Sequence, residues 1–145
     1  MLSKACQYAI KALIYLSSEL KQGNPRVNLK AIASAIDSPP AFTSKILQQL
    51  VAAQIITSVK GGGGGFDITP AKIKSTKVIT IIKAIGDDHL VTSCFLGLPH
   101  CSDANPCPVH HAYAPIREQL GMELLNISLY DIISDPKLKK YHLKP

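Results

Sequence analysis

The sequence predicts a mainly α fold with one small β-hairpin, and three observations carry that expectation. Apolar residues recur at steps of three and four through the first fifty residues. A five-glycine run, Gly61 to Gly65, lies between two short strand-like segments. A second apolar stripe at helical spacing lies near the C-terminus.

Cys6, Ala9, Leu13, Leu16 and Leu20 define the inward face of a first helix over about residues 3–21, and Gly23 and Pro25 end it. Asn28 is the expected N-cap of a second helix with Leu29, Ile32, Ala33 and Ile36 inward, broken at Asp37-Ser38. Ser38 then caps a third helix, with Pro39 at its first position, where a missing N–H costs nothing. That helix carries Phe42, Ile46, Leu47, Leu50 and Val51 inward. Two short helices with a tight joint are a helix-turn-helix pattern. Ile55 to Lys60 reads as a strand and Phe66 to Thr69 as its return, so the glycine run is the tip of a wing; its alternative is a flexible linker.

Residues 70–77 read as a polar loop. Ser75 or Thr76 caps a helix with Val78, Ile81, Ile82 and Ile85 inward, stopped by Gly86. Residues 87–111 show no period and read as a loop, and a long helix begins between Pro108 and Pro115. Its stripe, Tyr113, Ile116, Leu120, Leu124 and Ile127, is as narrow as a two-helix seam. A capping-box spacing at Ser128 restarts a short helix to Ile133, and the tail from Asp135 is polar and frayed. The expected architecture is thus a winged helix-turn-helix over residues 1–77, then a sensor loop (87–111) and a long C-terminal dimerisation helix within residues 78–145.

With 46% hydrophobic and 18% charged residues the chain can build a core, which without Trp must be mostly aliphatic. Residues 1–80 hold ten Lys and Arg against three acids, a net +7, while residues 81–145 come to −1. A basic first half points to a polyanionic partner, although solubility alone can account for such charge. No apolar run approaches the roughly 20 residues of a membrane span, and no clean signal peptide is present, so a cytoplasmic, membrane-free protein is expected.

A recognition helix offers its N-terminal residues to base edges in the major groove of double-stranded DNA. Ala41, Thr43, Ser44, Lys45 and Gln48 are the exposed candidates. Gln48 suits adenine, Lys45 guanine or phosphate, Ala41 a thymine methyl, and Thr43 and Ser44 phosphate or base. The alternative for each is a solvated helix face. Lys60, Gly61, Gly62 and Gly63 at the wing tip can approach the backbone closely, and Lys4, Lys11 and Lys30 can add phosphate contacts.

Cys94, Cys101 and Cys107 supply three soft thiolates on one loop, the chemistry that holds iron–sulfur clusters, with His110 three residues after the last. A Cys3His zinc site and a bare thiol switch use the same residues. No Ser-His-Asp grouping, phosphate-binding Gly-Lys motif or HExxH is present, and His100, His110 and His111 lack an obvious acid partner, so an enzyme is not expected. A non-DNA redox or metal-binding protein using the same cysteines is the competing class, against which stand the wing glycines and the basic first half.

The opening Ser3-Lys4-Ala5-Cys6-Gln7-Tyr8-Ala9-Ile10, the helix-turn-helix, the wing Ser58-Val59-Lys60-Gly61 to Gly65-Phe66, the three-cysteine loop, Ile81 to Ile85 and Leu129 to Ile132 together resemble the Rrf-two family of regulators, which includes IscR, NsrR and CymR. The resemblance implies a winged-helix homodimer joined by its long C-terminal helices on a palindromic operator. Members commonly carry Arg where Lys60 stands, which leaves the operator harder to infer. In IscR-like members a His at the offset of His110 completes a 2Fe–2S site; the first cysteine gap here is one residue longer. A 4Fe–4S cluster is the other expectation. In NsrR-like members an acid on the partner subunit's first helix closes the site. The matching position here is Gln7, and Cys6 beside it is the better ligand, unless Cys6 is simply a small buried residue.

Overall fold

The computed structural model describes residues 1–137. The expected frayed tail from Asp135 runs mostly through residues 138–145, outside the described residues.

Helix α1 spans Lys4–Lys21. Ser3 caps it by accepting from the Cys6 N–H, and its inner face buries Cys6, Ala9, Ala12, Leu13, Ile14, Leu16 and Ser17. The strand β1 (Arg26–Val27) follows, then α2 (Leu29–Ala35), whose N-cap is Asn28, bonded to the Ala31 N–H at 2.9 Å. The chain reverses at Asp37, held in the left-handed region (φ +52°), which Asp visits more readily than most residues with a Cβ. Helix α3 runs Pro40–Ala52. It starts one residue later than the sequence predicts, with Pro39 as N-cap and Pro40 at the first turn. Ser38 does not cap it; its hydroxyl is buried without a hydrogen-bond partner among the described residues.

Strands β2 (Thr57–Val59) and β3 (Gly65–Asp67) form the expected hairpin, and β1 adds a third strand unseen in the sequence, giving the antiparallel order β1-β3-β2. Arg26 lies opposite Asp67 in the β1–β3 register and pairs with it through two parallel bonds, Nε to Oδ1 and Nη2 to Oδ2, both 2.9 Å. At the wing tip Gly61 (φ +95°) and Gly63 (φ +76°) need conformations that other residues resist, and the Gly64 N–H closes the turn onto the Gly61 carbonyl. A Cβ on Gly64 would collide with the Val59 carbonyl oxygen.

Residues 70–75 are not a loop but the helix α4 (Pro70–Ser75), capped by the Thr69 hydroxyl with Pro70 at the first turn. Helix α5 (Val78–Ile85) ends at Gly86 in the left-handed conformation (φ +80°), as expected, but Lys77 occupies the N-cap rather than Ser75 or Thr76. The aperiodic segment contains one short helix, α6 (His89–Thr92). Helix α7 (His110–Asn126) begins inside the expected window, and α8 (Leu129–Ser134) carries a complete capping box between Ser128 and Asp131. A two-way backbone bridge between the α4–α5 and α7–α8 joints (Val78 N–H to Ile127 O, Leu129 N–H to Thr76 O) fixes where α7 leaves the body.

The larger of two apolar clusters joins most of these elements. Leu13, Leu16, Ile32, Ile36, Ile46, Leu47 and Leu50 from α1 to α3 pack with Ile81 of α5 and with Leu129 and Ile133 of α8. Helix α7 stands apart from it. Among the described residues its only buried side chain is His110, while Ile116, Met122 and Leu125 are more than half exposed. Tyr113 and Leu124, two members of the expected seam, are half-buried within their own chain: Tyr113 packs on Phe95, and Leu124 sits against the Cys6–Val78–Ile82 cluster.

The Ser128 cap gives a clean stability test. Its hydroxyl accepts from the Asp131 N–H while the Asp131 carboxylate accepts from the Ser128 N–H at 2.7 Å. Ser128→Ala is expected to cost about 1 kcal/mol, read as a fall of about 3–5 °C in thermal midpoint; an unchanged midpoint would contradict the cap. The Ser128 side chain, then its backbone N–H, hold the Asp131 carboxyl below the usual carboxylate range. Its contribution is therefore present at neutral pH and fades only as the pH falls below about 3.9.

Candidate metal centre and nucleic-acid interface

Local turns aim three thiols at one point. The Gly97 N–H bonds to the Cys94 carbonyl (2.9 Å), with Gly97 in a positive-φ conformation (+69°), and the His110 N–H bonds to the Cys107 carbonyl (3.0 Å) at the start of α7. The sulfurs of Cys94, Cys101 and Cys107 all lie within 4.8 Å of one another, and Cys94 and Cys107 are 3.6 Å apart. Cys101 Sγ lies 3.1 Å from His110 Nδ1, so the fourth residue singled out in the sequence joins the group. His110 Nε2 in turn meets Asp103 Oδ1 at 2.9 Å. The histidine thus has an acid partner seven residues upstream, contrary to the sequence reading, because the turn between Cys101 and Cys107 brings Asp103 to the Nε2 edge of the ring.

Hydrogen bonds from the Leu98 backbone, then against the opposing effect of burial those from Leu96 and the two other thiols, lower the Cys94 thiol to about 7. Cys101 moves the other way. A bond from the Cys107 backbone lowers it, but burial and the neighbouring thiols outweigh that and push it up.

The donor set fits a thiophilic centre. Three sulfurs and an imidazole are the ligands of iron–sulfur and of Cys3His zinc sites alike. The 4.8 Å limit also admits the roughly 3.8 Å sulfur–sulfur edge that follows from Zn–S bonds of about 2.3 Å in a tetrahedron.

Cys6 does not reach out of its fold. It is fully buried with Val78 and Ile82, and burial, then the adjacent Asp87, raise its thiol to about 11. A ligand role in a partner's site would require it to leave the core in which this chain buries it. Gln7 is half-buried and its amide donates to the Leu2 carbonyl at 2.9 Å. Asp87, 4% exposed, accepts the Ser3 N–H at 2.7 Å and so ties the start of α1 to the root of the cysteine loop.

On α3, Ala41, Lys45 and Gln48 are exposed at steps of four and three and share one face, and Ser44 is half-buried beside them. Thr43 is 1% exposed, and its hydroxyl donates to the Pro39 carbonyl at 3.0 Å. It belongs to the core, and its reading as an exposed contact is corrected: it falls on the same side as Ile46 and Leu47. Gln48 lines a groove with Lys60, Gly61 and Gly64, so the helix face and the wing open to the same side. Gly62, Gly63, Lys4 and Lys30 are exposed, and half-buried Lys11 lies over the Tyr8 ring, 5.7 Å from its centroid. No helix among the described residues is long and apolar enough to cross a membrane.

Fold and site together define a winged-helix protein with a thiol-rich ligand centre on the loop that leads into its last long helix. The chain belongs to the Rrf2 family, described as iron-dependent transcriptional regulators, whose model matches residues 2–135. An HTH-type transcriptional regulator of Aquifex aeolicus (strain VF5) is 31% identical over 99% of this chain and 96% of its own. In architecture the chain is similar to CymR, the global cysteine regulator of B. subtilis, with a TM-score of 0.73, 19% identity and coverage of 92% of this chain and 96% of that one. It is equally similar to IscR of T. potens, with a TM-score of 0.73, 19% identity and coverage of 97% and 91%. The chain is a transcriptional regulator of this family and not an enzyme.

Proposed function

We propose that the protein is a cytoplasmic homodimer that binds a palindromic operator in double-stranded DNA, and that an iron–sulfur cluster, 2Fe–2S or 4Fe–4S, held by Cys94, Cys101, Cys107 and His110 modulates its operator affinity. The observation that carries this reading is the convergence of three thiols and an imidazole at the N-terminus of α7. When bound, the cluster supplies a redox-active centre whose presence or charge can change. His110 begins, and Cys107 lies three residues before, the helix whose exposed Ile116, Met122 and Leu125 offer a seam to a second copy. Movement of the loop is therefore movement of that seam, and with it of the spacing between two recognition helices. A coupling of about 1–3 kcal/mol would change affinity about 5- to 150-fold.

Ala41, Ser44, Lys45 and Gln48 read the major groove in this account, while Lys60 with Gly61, Gly62 and Gly63 follows the backbone, helped by Lys4, Lys11 and Lys30. Selection of bound duplexes from a random pool tests it. A palindromic consensus, with half-sites about one helical turn apart or a multiple of that, is expected; recovery of unrelated sequences would refute it. Against the selected site, Gln48→Ala is expected to cost about 1–3 kcal/mol and relax the preference at one base pair. Lys60→Ala is expected to weaken all sequences alike and reduce the salt slope by about 0.9. Fluorescence anisotropy over a salt series separates the two.

A second reading is favoured by the Cys94–Cys107 pair, 3.6 Å apart with Cys94 lowered to about 7. These are the features of a thiol switch, and the regulator would then sense oxidants without a cluster. An iron and acid-labile sulfide assay on anaerobically prepared protein decides between them, and zinc in place of iron would indicate the Cys3His alternative.

A further inference from the structure

The segment after Cys101 folds back on itself at once. Ser102 and Asn105 exchange backbone hydrogen bonds (Asn105 N–H to Ser102 O, 3.0 Å; Ser102 N–H to Asn105 O, 3.2 Å), and the Ser102 hydroxyl accepts a further bond from the Asn105 N–H at 3.2 Å. This turn sets two side chains of one short segment on opposite edges of a single imidazole. Cys101 Sγ lies at His110 Nδ1 and Asp103 Oδ1 at His110 Nε2. The ring between them is 7% exposed, while the Asp103 side chain reaches it from the solvent side.

An ionised carboxylate only accepts, so the hydrogen in the Asp103–His110 contact belongs to Nε2. Neutral imidazole carries one such proton. With it on Nε2, Nδ1 keeps its lone pair, and that lone pair faces Cys101. We infer that Asp103 is a positioning residue that locks His110 in the Nε2–H tautomer and so makes Nδ1 the nitrogen offered to the thiol-lined centre. A carboxylate on the outer nitrogen of a ligating histidine also fixes the ring's orientation and strengthens the inner nitrogen as a donor. The role toward a bound centre rests on the proposed ligation by His110, but the tautomer is a property of the metal-free protein. Asp103 is itself solvent-exposed and packs in no core, so its effect falls on ring geometry and not on the fold.

Long-range proton–nitrogen correlation spectra of the reduced, metal-free, 15N-labelled protein read the tautomer of each histidine, with His110→Gln identifying the signals of His110. The wild type is expected to show Nε2–H at His110. Asp103→Ala should show a mixture of the two tautomers at an unchanged melting temperature. Asp103→Asn, whose side-chain oxygen still accepts, should restore the wild-type pattern. In anaerobically reconstituted protein, the nitrogen coupling seen by pulsed paramagnetic resonance of the reduced cluster should survive in Asp103→Asn, change in Asp103→Ala and vanish in His110→Gln. Nδ1–H in the wild type, or an Asp103→Ala spectrum identical to the wild type, overturns the inference. The expected tautomers in a protein that retains no iron or sulfide would uphold the lock and sink the cluster reading instead.

Discussion

Replacing Cys107 by alanine is expected to abolish retention of iron and acid-labile sulfide while leaving the fold intact. Cys107 is 7% exposed yet belongs to neither apolar core cluster, and its sulfur lies 3.6 Å from that of Cys94. Its loss leaves two thiols and an imidazole, one soft ligand short of what an iron–sulfur site uses. Anaerobically purified Cys107→Ala should therefore be colourless and iron-free, with a melting temperature like that of the metal-free wild type. Retention of full iron and sulfide by the variant would remove the three-cysteine centre from the account.

The largest effect on stability is expected from Leu47→Ala. Leu47 is fully buried on the inner face of α3, in the cluster that joins α1, α2, α5 and α8. Truncation costs the transfer free energy of the lost methyl groups and opens a cavity that such a shared core closes poorly, about 2–5 kcal/mol in all. A domain of this size holds only about 5–15 kcal/mol. Urea denaturation of the metal-free protein should show a markedly lower midpoint with an unchanged slope; a loss below about 1 kcal/mol would mean that α3 is not seated in the core as described. Because α3 is also the proposed recognition helix, operator binding by Leu47→Ala should fail at temperatures where the wild type still binds.

The parts of this fold that periodicity governs were legible in the sequence. The inward faces of α1, α2 and α5, the Asn28 cap, the Gly86 stop and the Ser128 capping box all follow from residue type and spacing, and each is present in the structure. Elements too short for a period were missed. Strand β1 has two residues, and α4 has six behind a Thr69-Pro70 start that reads equally as a turn. Thr43 reads as exposed on residue type alone, yet its steps of three and four to Ile46 and Leu47 put it on the inward face, where its hydroxyl turns back to the Pro39 carbonyl.

The same limit divides the site. That three cysteines share a loop is visible in the chain, and the resemblance to IscR-like members singles out His110 three residues after Cys107. The Asp103–His110 contact depends on the backbone turn at Ser102–Asn105, and nothing in the residue spacing announces it. The burial of Cys6 against Asp87 is likewise a tertiary fact: the helical stripe alone gave it the right face but not the partner waiting there.

The central claim is that the cysteine loop controls operator affinity through α7. It is tested most directly by titrating one selected operator duplex with anaerobic protein before and after removal of bound iron and sulfide, under identical salt. The account predicts dissociation constants differing by about 5- to 150-fold, with Cys107→Ala behaving as the metal-free form throughout. Equal affinities for the loaded, stripped and Cys107→Ala proteins would contradict it, leaving a winged-helix regulator whose thiol centre has no bearing on its DNA.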